Sequence, residues 1–174
     1  MSHWMQRGIG KRPPPINARA ETLADSLMFR GSLATNRCLI PATGFYEWTA
    51  TSNSTAKIPM HIQLTGGGLF AFAGLWSIWR ADGDHVLRSC TIVTRGANAA
   101  VAPLHDRMPV ILAPEHERAW LGQATPPTVL HELLRGIPAS EIAVRPVCSA
   151  VNDARYDGPE CLAPPPEGAQ AALF

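Results

Sequence analysis

Residues 105–109 read His-Asp-Arg-Met-Pro and stand where the loop Ala97–Leu104 gives way to the apolar run Val110-Ile111-Leu112. Imidazole titrates near neutrality and suits proton transfer. Guanidinium is a forked donor for phosphate or carboxylate. Pro109 removes a backbone donor and biases Met108 toward extended geometry, so His105 and Arg107 are expected in a stiff turn at the mouth of a buried strand. An ordinary charged turn accounts for the same string. A second candidate is Glu47, in Gly44-Phe45-Tyr46-Glu47-Trp48. On a strand Glu47 shares a face with Phe45 while Tyr46 and Trp48 point the other way. A carboxylate flanked by rings is partly desolvated, which raises its pKa toward the range useful in acid/base chemistry. Pairing with a nearby arginine is the plainer role. The third string is Ile16-Asn17-Ala18-Arg19-Ala20-Glu21-Thr22. Asn17 stands where a helix cap would stand. With Arg19, a helix start there would also suit a phosphate.

The elements that must position these groups read as one mixed α+β domain over residues 1–163, followed by a Pro/Ala-rich tail at 164–174. The spacing of Ala20, Leu23, Ala24, Leu27 and Met28 predicts a helix over Ala18–Phe29. Cys38–Trp48 reads as a strand broken or bent at Pro41 and Gly44, and Thr49–Lys57 as a polar hairpin-type loop. Strands follow at Ile58–Leu64, Leu69–Trp79, Val86–Thr94 and Val110–Ala113, with turns at Gly66–Gly68 and Ala81–Asp84. Pro114 opens a helix running to about Leu121, and Thr125-Pro126 opens another ending near Gly136. Ile142–Val151 reads as a last strand. Strands followed by helices favour α+β over a doubly wound sheet.

At 174 residues the chain fits one core of ordinary size. No GxGxxG or P-loop string supports a nucleotide site, so no cofactor is expected. Cys38, Cys90, Cys148 and Cys161 form no CxxC pair, which argues against a zinc knuckle, and no metal is expected. Cys38 and Cys90, in apolar strands, read as core thiols. Without an apolar leader or a membrane-length run, a cytoplasmic protein with reduced thiols and no membrane partner is expected. The net charge of +1 hides an asymmetry: residues 1–57 hold seven Lys/Arg against three Asp/Glu, and residues 114–174 hold four against eight. A basic front half attracts polyanions, and solvated surface charge explains it equally.

Taken together, INARAET, GFYEW and HDRMP, in this order and spacing, resemble the SRAP family, the SOS response-associated peptidase proteins. The resemblance runs from about Trp4 to Leu162 and takes in Arg37–Pro41, Phe72–Trp76 and Ile92–Thr94. It implies a mixed sheet or open barrel with flanking helices, and a basic channel for single-stranded DNA carrying abasic sites, in a monomer. Family members capture the ring-opened sugar with a cysteine exposed at the mature N-terminus. By this resemblance Asn17 positions the terminal amine or opened sugar, Glu47 shuttles protons, and His105 works on the sugar hydroxyl or assists ring opening. Arg19 and Arg107 hold the flanking phosphates, and Trp4 stacks on a base. The resemblance also implies that the N-terminal part of the family domain is missing. Ser2 does not correspond to the nucleophile, and no other cysteine replaces it. A non-catalytic single-stranded DNA-binding paralogue and a non-functional remnant are the alternatives.

Overall fold

A computed structural model describes residues 15–51, 54–80 and 86–166. Its contacts form two compact units. The first takes the described residues of Met1–Ala42, Leu69–Arg95 and Pro109–Ile137, and the second those of Thr43–Gly68, Gly96–Met108 and Pro138–Phe174. The architecture is α+β, with two open sheets and few helices. Among the described residues no helix is long and apolar enough to cross a membrane.

The first unit is built on strands β1 (Asn17–Arg19), β2 (Arg37–Ala42), β5 (Phe70–Arg80) and β6 (Val86–Gly96), in the order β1-β6-β5-β2. β1 runs parallel to β6, with Asn17, Ala18 and Arg19 opposite Ile92, Val93 and Thr94. The other pairings are antiparallel, and the short β8 (Ile111–Leu112) lies beside β5 at Ala71 and Phe72. Strand alternation turns Ala18, Ala73, Leu75 and Val93 to one face. There they meet Leu23, Phe29, Trp120, Leu130, Leu133 and Leu134 in one buried cluster. The helices on that face are α1 (Arg30–Thr35), α2 (Pro114–Leu121) and α3 (Pro127–Leu133). Proline opens α2 and α3, where its missing N–H lacks an intrahelical partner anyway.

Arg37 is a charged residue buried within this unit, 5% exposed. Its Nε donates to Trp120 O at 2.5 Å, and its Nη atoms donate to the carbonyls of Leu33, Ala34 and Gly122. The guanidinium lies over the Trp120 ring, 5.9 Å from its centroid. One fixed fork of donors thus closes the C-terminal ends of α1 and α2, where helical carbonyls lack intrahelical partners.

The second unit carries the antiparallel sheet β3 (Phe45–Thr51), β4 (Ser54–Leu64) and β9 (Ile142–Pro146), in the order β3-β4-β9. The short β7 (Arg107–Pro109) follows the loop that holds His105.

Several expectations are corrected. Ala18–Phe29 is not a helix: β1 takes its start, a 3-10 turn covers Ala20–Thr22, and the α-helix begins only at Arg30. Pairing with β6 supplies long-range hydrogen bonds that a helix would forgo, including Ile92 N–H to Ile16 O at 2.9 Å. Leu27, assigned to the helix's inner face, is 62% exposed. The Thr49–Lys57 loop is mostly strand, because Thr49 and Ala50 pair with Ile58 and Lys57. β9 stops at Pro146 and the chain passes into a 3-10 turn at Ser149–Asn152. The turn at Ala81–Asp84 lies outside the described residues, as do the last eight residues of the tail.

Candidate functional site

Asn17 and Arg19 do not flank a helix start. They occupy alternate positions of β1, both exposed, with buried Ala18 between them. The helical-cap role for Asn17 therefore fails, since only a three-residue 3-10 turn follows and its cap makes no side-chain bond. What replaces it is a strand edge that presents a carboxamide and a guanidinium on the same side, two residues apart. The strand is fastened to β6 partly by hydroxyls: Thr91 Oγ1 donates to Pro15 O at 3.2 Å and Thr94 Oγ1 to Ala18 O at 3.4 Å.

On that face β6 also carries Cys90, and the core-thiol reading of Cys90 is overturned because the residue is exposed. The register explains it: Thr91 and Val93 take the buried positions of β6, which leaves Cys90 on the other face, opposite Trp76. Cys38 is half-buried, and burial pushes its thiol up to about 11, with nearby Cys90 adding to the shift. Gly74 makes room for it, since a Cβ there would lie 2.8 Å from Cys38 Sγ.

In the second unit Glu47 lies on β3 opposite Met60, on the face shared with Phe45 and Ile62 as the alternation predicts. It is half-buried. The aromatic pair on the other face is tied down by the chain's later residues. Trp48 Nε1 donates to Asn152 Oδ1 at 2.7 Å, and Tyr46 OH to Cys161 O at 3.4 Å. Glu47 is thus presented by a strand whose neighbouring side chains are already engaged.

His61, on that same face, belongs to none of the three strings. It is 4% exposed, its ring centroid lies 5.2 Å from that of Tyr46, and its Nδ1 is buried without a hydrogen-bond partner. Burial, reinforced by Arg145 across the β4–β9 pair, holds its pKa below the usual imidazole value. Its one signal in the sequence is its position in Met60-His61-Ile62, a lone polar residue within a strand. A solvent-facing strand position gives the same pattern.

His105 sits in a loop fixed at several points. Ala97 N–H donates to Asp106 O at 2.9 Å. Asn98 Oδ1 accepts from Ala100 and Val101 N–H at 3.1 and 3.3 Å, and Val101 is fully buried. The His105 side chain is 48% exposed. Its Nδ1 accepts the Arg107 N–H at 2.9 Å, and also lies 3.1 Å from Arg107 O and 3.1 Å from Asp106 Oδ1. An unprotonated Nδ1 is served by that N–H. The protonated ring is served by the carbonyl and the carboxylate. A histidine with local partners for both states keeps its orientation through a proton transfer. Arg107 follows at the start of β7, half-buried, with buried Met108 next to it.

The structure therefore brings Asn17 and Arg19 together on β1, and His105 and Arg107 together in one turn, while Glu47 stands on β3. Trp4 lies outside the described residues. A separate apolar groove of about 220 Å³ lies among Leu23, Leu33, Leu130 and Leu134, rimmed by Arg30 and His131, and none of the candidate residues lines it. Among the described residues no group of three or more His, Cys, Asp or Glu is arranged to hold a metal.

With this fold and these strings in place, the chain belongs to the SOS response associated peptidase (SRAP) family, whose model matches residues 1–154. Among its relatives is the abasic site processing protein YoqW of Bacillus subtilis (strain 168), 44% identical over 148 residues, covering 84% of this chain and 66% of the relative. The abasic site processing protein YedK of Escherichia coli (strain K12) is 32% identical over 159 residues, covering 90% of this chain and 70% of the relative. A crystal structure of a protein from Bacteroides thetaiotaomicron superposes with a TM-score of 0.77 at 25% identity, over 84% of this chain and 65% of that one. The chain spans about two thirds of the length of these proteins and about half that of other relatives it matches.

Proposed function

We propose that this chain acts on abasic sites in single-stranded DNA. The observation that carries the reading is the family match over residues 1–154, together with relatives named as abasic site processing proteins. It is supported by the kinds of side chain that the three matched strings present. An abasic strand offers phosphates and a sugar with no base. The sugar interconverts between a closed hemiacetal and an open aldehyde. Arg19 and Arg107 hold phosphates as forked donors. Asn17, beside Arg19 on β1, positions the sugar through its carboxamide.

Opening the ring requires removal of the C1′ hydroxyl proton, cleavage of the C1′–O4′ bond and delivery of a proton to O4′. His105 is suited to both proton movements, because its turn holds partners for either protonation state. Glu47 shuttles protons in later steps. The reading places the protein in the cytoplasm as a monomer, with no cofactor and no metal.

The test compares binding of single-stranded oligonucleotides with and without an abasic site, and aldehyde exposure read with a hydroxylamine reagent. Preferential binding of the abasic strand and faster capture of the aldehyde, lost in His105→Ala, are expected. Equal binding of both strands together with unchanged capture overturns the reading.

A further inference from the structure

Two cysteines that the proposed chemistry leaves unused are gathered by the fold in one place. Cys148 stands just before the 3-10 turn Ser149–Asn152, and Cys161 lies in a second such turn, Pro159–Leu162. Both belong to the second unit and both are half-buried. Cys148 N–H donates to Ala163 O at 2.8 Å, and Arg145 Nη1 donates to Leu162 O at 2.9 Å. The end of β9 and Cys148 are thereby fastened to the two residues that follow Cys161. A two-residue step spans at most about 7 Å of chain, and a disulfide asks for Cα atoms within about 7 Å of each other. Both thiols also act on one phenol. The pKa of Tyr156 is pushed up to about 12, chiefly by its hydrogen bond to Glu160, and Cys161 and Cys148 each add to the rise.

Cys38 and Cys90 make no such pair. They lie on β2 and β6, on either side of β5, so two strand spacings of about 4.8 Å hold them apart, beyond disulfide reach.

We propose that Cys148 and Cys161 form a modification site, a peroxide-sensitive pair that closes into a reversible disulfide and locks the segment between them onto β3. That segment already grips the aromatic side chains on the face of β3 opposite Glu47. Asn152 Oδ1 accepts from Trp48 Nε1 at 2.7 Å, and Cys161 O accepts from Tyr46 OH at 3.4 Å. A covalent link between its ends removes freedom chiefly from the unfolded chain and favours the state in which both contacts are made.

The reaction is a two-electron oxidation. One thiolate attacks a peroxide oxygen and breaks the O–O bond, giving a sulfenic acid and hydroxide. The second thiolate attacks the sulfenic sulfur, forms the S–S bond and expels a second hydroxide. Each hydroxide takes up a proton that a thiol released, so the peroxide ends as two waters. Two equivalents of a small thiol restore the pair by exchange.

The experiment treats the full chain with a small excess of hydrogen peroxide, blocks the remaining thiols with iodoacetamide and digests with trypsin without reduction. Cleavage after Arg155 separates the two cysteines; Arg145 precedes a proline and is not cut, and no lysine or arginine follows Arg155. Peptides 136–155 and 156–174 are expected joined, and dithiothreitol should part them. The bridged protein should melt about 5–10 °C above the reduced one, a rise absent from Cys148→Ser and Cys161→Ser. Recovery of the two peptides unjoined overturns the proposal, as does a bridge from either cysteine to Cys38, to Cys90 or to a second copy, the last seen as a dimer on a non-reducing gel. A bridge with no rise in melting temperature overturns it too, by showing that the link fastens nothing. The peptide map of the parent chain decides alone should either serine variant fold poorly. No DNA enters the measurement, so failure of the oligonucleotide assay would leave the thiol pair standing.

Discussion

Gly44 and His61 share one small volume: a Cβ built on Gly44 would lie 2.0 Å from His61 Nε2. The glycine that opens the Phe45–Trp48 string is therefore required by the imidazole lying against it, with no appeal to an unusual backbone angle. Gly44→Ala should destabilise the protein by about 1–3 kcal/mol through overpacking. Adding His61→Ala should recover part of that loss, which a double-mutant cycle by denaturant unfolding will read as a coupling. Additive losses would disprove the shared volume.

The same histidine makes stability depend on pH with a definite sign. An unfolded imidazole takes up its proton near pH 6.5, and His61 in the fold does so only at lower pH, chiefly because it is buried and secondarily because of Arg145. Between those two values the unfolded chain binds more protons than the folded one, so stability rises with pH there. The contribution of His61 is complete above pH 6.5 and drains away as the pH falls below it. In His61→Gln the fall in unfolding free energy from pH 7 to pH 5.5 should be shallower. A parallel fall would assign the acid sensitivity to other groups.

Arg37 offers a test of the first unit. Its guanidinium serves four carbonyls from the ends of two helices. Arg37→Lys keeps the charge but cannot span that set, and should cost about 2 kcal/mol. Arg37→Met, which leaves the carbonyls without a donor while restoring apolar volume, should cost at least as much. Chemical denaturation of the two variants beside the parent checks the order. A neutral Arg37→Lys would show that the fork geometry is dispensable.

The two thiols on the first sheet should differ in reactivity. Cys90 is exposed, whereas Cys38 is half-buried with its thiol pushed up to about 11. Thiolate is the reacting form. Alkylation of the native protein at pH 8, followed by peptide mass spectrometry, should modify Cys90 well before Cys38. Comparable rates would contradict the register that puts Cys90 on the outer side of β6.

Binding of single-stranded DNA should depend steeply on salt, because each neutralised phosphate releases counterions. Arg19→Ala with Arg107→Ala should lower the affinity by about tenfold or more and flatten the salt dependence by about two contacts. A titration at several salt concentrations reads both effects. Unchanged slope and affinity would remove these arginines from the interface.

Much of the fold is legible in the residues. Pro114 marks the first residue of α2, and alternation in Phe45–Trp48 correctly sets Glu47 apart from Tyr46 and Trp48. The misreadings share one cause, which is long-range pairing. Ala18–Phe29 has helical spacing, yet β6 recruits Asn17–Arg19 into a parallel ladder from more than seventy residues away. Cys90 stands in an apolar run, yet the register of β6 against β5 turns it outward. His61 is hidden for the opposite reason, as its burial depends on a missing side chain at Gly44 that no local pattern announces. Asn17, Glu47, His105 and the two arginines stand out by resemblance to a family, and their local settings follow from the strands and turns that carry them.

The shortness of β1 has an outcome of its own. Three paired residues and two threonine hydroxyls moor Asn17 and Arg19 to β6. Such a ribbon can peel away, lifting only Ala18 from the apolar cluster, at less cost than opening the longer strands. Grip on a nucleic acid strand would then fade on warming at temperatures where the rest of the molecule is still native, and the amide protons of those few residues would trade with solvent earliest.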